Sequence, residues 1–151
     1  MLLNLLDTFP KVKRDINSRK KNKSYNRELA LKFDKEYFDG TRDQGYGGYS
    51  YDGRWVKVAD KIKKIYELNK QARILDVGCA KGYLLHDLYE LNPYFDLYGI
   101  DISSYAINQS PETIRNKILC INCKELPFKD KYFDFTISIN TVHNLELEEC
   151  K

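Results

Sequence analysis

Apolar positions recur at helical intervals in the first third of the chain and then gather into short runs separated by helical stretches. Leu2, Leu3, Leu5, Leu6 and Phe9 have helical spacing, and good helix formers from Arg27 to Phe38 predict a helix that stops at Gly40. A glycine- and tyrosine-rich stretch from Gly45 to Gly53 predicts a loop. Trp55, Val58, Ala59, Ile62, Ile65 and Tyr66 then mark one amphipathic helix ending near Asn69. Beyond it, strands are expected at Ala72–Val77, Phe95–Ile100, Ile118–Ile121 and Phe133–Ile139. Helices are expected at Gly82–Leu91 and from Ser103 to Asn108, with a further start at Ser110-Pro111-Glu112, where Pro takes the first helical position.

Strands alternating with helices predict an α/β layered fold. Its sheet is parallel with right-handed crossovers, and ligands bind outside the carboxyl ends of the strands. A chain of 151 residues has room for one such domain. The pattern divides it into a basic N-terminal arm (1–26), a helix and Gly/Tyr-rich cap segment (27–54) and the α/β domain proper (55–151).

Composition adds limits. With 42% apolar and 31% charged residues the chain reads as a soluble globular protein. No run approaches a membrane span, and the N-terminus lacks the basic region of a signal peptide, so the cytoplasm is the expected setting. The net charge of +3 is uneven: residues 11–27 carry +7 and residues 28–151 carry −3. Such a tract suits nucleic acid or an anionic surface, but a solvated arm is the expectation preferred here. Of four cysteines, Cys120 and Cys123 have C-x-x-C spacing with no second ligand pair, so no metal site is expected.

The most informative segment is Asp76-Val77-Gly78-Cys79-Ala80-Lys81-Gly82, where an apolar run ends in an acid and two glycines lead into a helix. The dinucleotide fingerprint Gly-x-Gly-x-x-Gly is not met: Asp76 stands at its first glycine and the spacing after Gly78 is one residue too long. A carboxylate there repels a pyrophosphate and favours a ligand bearing an amino group. The segment resembles the first motif, D-x-G-C/T-G/A-x-G, of the class I S-adenosylmethionine-dependent methyltransferases, and further landmarks extend the resemblance over roughly residues 55–143.

That resemblance implies a Rossmann-like three-layer sandwich whose sheet has seven strands, of which this chain supplies four. The fourth strand is then left as an exposed edge, and a fragment, or a chain completed by another polypeptide, is expected. S-adenosylmethionine is the implied cofactor. Asp76 is expected to accept from its ammonium, with bracing of the loop as the competing role. Gly78 is assigned to backbone approach, Cys79 to the cofactor turn, Gly82 to helix–sheet packing beside it, and Lys81 to solvent. Asp101, at the end of the second strand and 23 residues after Gly78, is placed to accept both ribose hydroxyls, leaving Ser103 as the helix cap. Ile102 flanks the adenine. The run Asn122-Cys123-Lys124-Glu125-Leu126-Pro127-Phe128 is similar to D-A-E-x-L-P-F, which puts Asn122 and Cys123 near the adenine amino group although the family usually has Asp.

After the fourth strand, Ser138 is expected beside the sulfonium. His143 is the candidate general base, with packing at a helix start as its alternative. Tyr46, Tyr49 and Tyr51 are read as a cap that excludes water or holds a sulfonium by its ring faces, and Arg54 as a fork for the methionine carboxylate, with a rigid packed turn as the alternative. The implied function is methyl transfer to an acceptor, a small metabolite by preference. Sugar, lipid precursor, RNA and protein remain open, and nucleic acid through the arm is not favoured. A nicotinamide-dependent oxidoreductase and a catalytically inactive binding module are the rival readings.

Overall fold

The computed structural model describes residues 3–10 and 22–150. Most of the basic arm, residues 11–21, lies outside the described residues, as does Leu2. Four parallel strands, β1 (Arg73–Val77), β2 (Asp96–Asp101), β3 (Ile118–Cys120) and β4 (Phe135–Ile137), form one sheet in the order β3-β2-β1-β4. The chain thus begins in the middle of the sheet, moves outward to β3, and returns to pair β4 on the other side of β1. That reversal opens a crevice at the carboxyl ends of β1 and its neighbours, where open α/β sheets take their ligands.

Alternation along the strands sorts side chains to two faces. Ile74 of β1, Leu97 of β2 and Ile118 of β3 join a core built with α3 (Val56–Ile65), α4 (Tyr83–Leu91), α5 (Ser104–Asn108) and α6 (Glu112–Arg115). Leu75, Val77 and Ile100 face the other way, where Tyr98, Ile121, Phe128 and Phe133 cover them. Of the run Leu126-Pro127-Phe128, Phe128 packs here while Leu126 is exposed: the Phe128 and Phe133 ring centroids lie 4.8 Å apart, edge to face. Ser103 caps α5 through its hydroxyl, which accepts from the Ala106 N–H at 3.1 Å. Pro111 sits just before the first residue of α6 and not inside it.

The largest departure from periodicity is in the cap segment. The expected helix from Arg27 to Phe38 is two helices, α1 (Lys23–Ala30) and α2 (Lys35–Asp39), broken where Phe33 takes φ +49°. Asp34 explains the break: its carboxylate accepts from the Lys35 N–H at 2.8 Å as the N-cap of α2, and the new helix direction buries Phe38. Two other helices are shorter than expected. Leu3 to Phe9 form turns rather than a helix, and α3 ends at Ile65, before Glu67 adopts φ +48°. No helix of the described residues is long and apolar enough to cross a membrane.

Candidate active site

β1 and β2 are in register, with Val77 beside Ile100, so the residues that follow them, Gly78 and Asp101, emerge at the same level. The turn after β1 is fixed by its own backbone. The N–H groups of Gly78 and Cys79 both donate to the Ile100 carbonyl, at 2.8 and 3.0 Å, and the Ala80 N–H donates to Asp101 Oδ2 at 2.7 Å. Gly78 has φ +76°, and a Cβ there would stand 2.0 Å from Thr141 Oγ1. The glycine thus admits the segment after β4 against the turn. At Gly82, φ +67°, a Cβ would meet Ile114 Cδ1 at 2.5 Å and Ile118 Cδ1 at 2.8 Å, which is the helix–sheet contact expected of it.

Two adjoining cavities, of about 1000 Å³ and about 200 Å³, open over this turn. Tyr37, Tyr46, Gly78, Ala80 and Asn140 line both and separate them. Asp76, Cys79, Tyr49, Arg54 and His143 line the larger cavity; Asp101, Ile102, Asn122 and Cys123 line the smaller. Most of the residues proposed from sequence therefore converge on one divided cleft.

Asp76 is 5% exposed, and its carboxylate accepts no hydrogen bond from the described residues. Burial first, then the neighbouring Asp101 carboxylate, push its pKa up to about 7. Asp101 is also raised by burial, against the N–H groups of Ser103, Ala80 and Ile102 that hold it down. Oδ1 accepts from the Ser103 N–H at 2.9 Å and Oδ2 from the Ala80 N–H, which fixes the carboxylate in the lining of the smaller cavity. The Cys79 thiol is pushed up by burial and is no nucleophile. Tyr46 is raised to about 12, again chiefly by burial, and stays a neutral wall.

Other residues named from sequence are placed by contacts within the chain. Gly82 packs behind the turn and lines neither cavity. Ser138 donates its hydroxyl to the Val77 carbonyl at 3.1 Å and also lines neither, because β4 ends at Ile137 and turns the next residue toward β1. Arg54 reaches the larger cavity, but its guanidinium grips both oxygens of Asp52 at 2.7–2.9 Å; that carboxylate is two residues away, in the same loop. Asn122 lines the smaller cavity while its side-chain carbonyl accepts from the Lys124 N–H at 3.0 Å. Tyr51 leaves the cleft, donating to Asp87 at 2.5 Å. Lys81, expected in solvent, is 4% exposed and paired with Asp39. The partition by Tyr37 and Asn140 was not anticipated; a non-glycine residue at φ +59°, Asn140, is invisible to periodicity.

A model of the methyltransferase domain family matches residues 75–150, from β1 through the turn after β4. The chain belongs to the methyltransferase domain family. Among solved structures, a putative S-adenosyl-L-methionine-dependent methyltransferase of Methanococcus maripaludis matches with a TM-score of 0.53 at 15% identity, over 91% of this chain and 57% of that one. A putative methyltransferase from an antibiotic biosynthesis pathway of Anabaena variabilis also gives 0.53, at 22% identity, over 62% of this chain and 38% of that one. The fold of this methyltransferase domain is thus the Rossmann-like one of S-adenosylmethionine-dependent methyltransferases, with four strands in its sheet. Among curated proteins, the tRNA (carboxymethyluridine(34)-5-O)-methyltransferase of Arabidopsis thaliana is 32% identical over 95 residues, 63% of this chain. An uncharacterised protein of Methanocaldococcus jannaschii is 30% identical over 84 residues, 56% of this chain. The chain spans 22% and 35% of those two relatives' lengths, respectively.

Proposed function

We propose that the divided cleft binds S-adenosylmethionine and that a methyl group passes from it to a small-molecule acceptor in the remainder of the larger cavity. The observation that carries the reading is Asp76: a buried carboxylate, poised near neutrality and given no donor by the described residues, is suited to a ligand ammonium. The amino-acid end of the cofactor then belongs in the larger cavity, and its adenosyl end belongs in the smaller one beside Asp101, Ile102 and Asn122. The turn itself argues against a pyrophosphate. Its three successive N–H groups are already taken by Ile100 and Asp101, so no anion-binding nest remains there for a nicotinamide dinucleotide.

When bound, the sulfonium supplies an electrophilic methyl group. The chain's contribution is alignment. Asp76 and Asp101 fix two ends of one molecule from neighbouring strand tips, while Tyr46 and Tyr49 exclude water from the space between. Holding donor and acceptor in a near-attack geometry accounts for about 7–11 kcal/mol, so a strong nucleophile on the protein is not needed. His143, at the rim of the larger cavity, is the group placed to take a proton from an acceptor there. The tRNA-modifying activity named for the Arabidopsis relative makes RNA the competing acceptor class. A cavity of about 1000 Å³, with Tyr37, Tyr46 and Tyr49 as well as Lys23, Arg27, Arg42 and Arg54 in its lining, suits a small acidic molecule. We place the chain in the cytoplasm, the setting its composition suggests.

Calorimetric titration with S-adenosylhomocysteine tests the cofactor assignment, with Asp76→Asn and Asp101→Ala as controls. Saturable heat that both substitutions weaken supports it. Binding of NAD, with none of S-adenosylhomocysteine, would overturn it.

A further inference from the structure

We propose that Lys81 is a positioning residue whose ammonium, by gripping Asp39, holds the aromatic cap in register over the cofactor turn and so couples cofactor binding to cap closure. The inference rests on the cleft being an S-adenosylmethionine site. Lys81 Nζ donates to Asp39 Oδ1 at 2.7 Å and Oδ2 at 2.6 Å. The same carboxylate accepts the Tyr105 hydroxyl at 2.7 Å and the Tyr49 backbone N–H at 3.1 Å. Asp39 is the last residue of α2, Tyr49 lies in the middle of the Gly/Tyr loop, Lys81 lies inside the glycine motif, and Tyr105 stands on α5, four residues after Asp101. One carboxylate therefore ties the cap to the turn after β1 and to the helix after β2, the segments that follow the two strands carrying Asp76 and Asp101.

An ammonium this deeply buried is costly unless it is fully paired, so the contact is more than a surface ion pair. Burial raises the Asp39 carboxyl, but the Lys81 ammonium, the Tyr105 hydroxyl and the Tyr49 N–H together hold it below the usual carboxylate range. The pair positions the wall of the cleft. Phe38, next to Asp39, stacks on Tyr46 with centroids 5.7 Å apart, and Tyr46 packs on Tyr49 at 4.5 Å. The Tyr46 N–H donates to the Tyr37 carbonyl at 2.8 Å, which links the two tyrosines that line both cavities. Releasing Asp39 lets this wall move away from the turn.

The chain carries its own reporter. Trp55 is its single tryptophan, and its indole N–H donates to the Tyr49 hydroxyl at 3.1 Å. The experiment combines S-adenosylhomocysteine titration with acrylamide quenching of Trp55 emission, for the wild type, Lys81→Met, Asp39→Asn, the double variant and Lys81→Arg. Either single variant is expected to bind S-adenosylhomocysteine at least about tenfold more weakly and to leave Trp55 more quenchable at saturating ligand. The double variant should stay more than about twofold weaker than the wild type yet be no worse than either single one, and Lys81→Arg should return to within about threefold of the wild type. The double variant leaves neither charge unpaired and carries the test if Lys81→Met fails to fold. If the folded double variant binds within about twofold of the wild type with Trp55 equally shielded, the clamp is overturned alone. If the folded wild type binds no S-adenosylhomocysteine, the cofactor reading falls first and takes the clamp with it.

Discussion

Asp101 Oδ2 accepts the backbone N–H of Ala80 at 2.7 Å, so an acid at the tip of β2 holds the turn that follows β1. Alanine at 101 removes that brace and the proposed ribose contacts together. Hydrogen bonds to a charged group are worth about 1.5–3 kcal/mol each, so Asp101→Ala is expected to lower S-adenosylhomocysteine affinity by at least about 100-fold, and Asp101→Asn by less. Calorimetry on the two variants reads the difference; since the Asn amide oxygen can still accept the Ala80 N–H, equal losses would mean that the brace contributes little and the carboxylate's charge carries the effect.

Asp76 sets a pH dependence. Its folded pKa is raised to about 7, above the ordinary 3.8, so the folded state without ligand holds a proton that the unfolded chain has lost between those values. The sign follows: without ligand, stability contributed by Asp76 is full below about pH 4 and declines as pH rises toward 7. Binding of an ammonium needs the ionised form, so S-adenosylhomocysteine affinity should climb through pH 6–8, a window about one unit either side of that pKa. Asp76→Asn should flatten both profiles. Melting curves with and without ligand across that range provide the check.

Gly82 couples the motif to the core. Gly82→Ala puts a Cβ 2.5 Å from Ile114 Cδ1 at a φ of +67°, combining overlap with a disfavoured backbone. A loss of about 2–4 kcal/mol in unfolding free energy is expected from the two costs together. Adding Ile114→Val should recover only part of it, since the backbone cost remains; full recovery in urea denaturation would show that crowding alone mattered.

Asp87 is buried on α4, with Oδ1 bonded to the Tyr51 hydroxyl at 2.5 Å and Oδ2 without a partner among the described residues. Burial raises its pKa, opposed by that hydroxyl. Tyr51→Phe withdraws the donor and should destabilise the fold by about 1–3 kcal/mol, with Asp87→Leu in the same chain restoring much of the loss. Thermal unfolding of the single and double variants decides whether the pair matters.

What the sequence makes legible is what its own neighbours determine. The run through Leu75 and Val77, the acid at 76 and the glycines at 78 and 82 specify a strand, a turn and a helix start within nine residues, and Asp101 follows from the next strand's end. Lys81 was not legible, because only a partner 42 residues earlier explains how a lysine is buried in that turn. The split of the cap helix hangs on Asp34 capping α2, which a periodic count of apolar positions passes over. The pairing of Arg54 with Asp52, two residues off, needs the turn geometry of the loop and is not visible in the spacing of apolar positions. Ser138 depended on where β4 stops, and strand ends are the least certain part of any apolar run.

The turn from Gly78 to Ala80 has its shape settled without a ligand, since every amide there has an intramolecular acceptor. Little ordering entropy should be lost there on binding, and those three amides should exchange with deuterium slowly even before any ligand arrives. On the proposed reading, selection between adenosine-bearing molecules then rests on indifference: a triphosphate tail laid over these three amides would find no hydrogen left to take, whereas an amino acid's nitrogen would find a waiting acid.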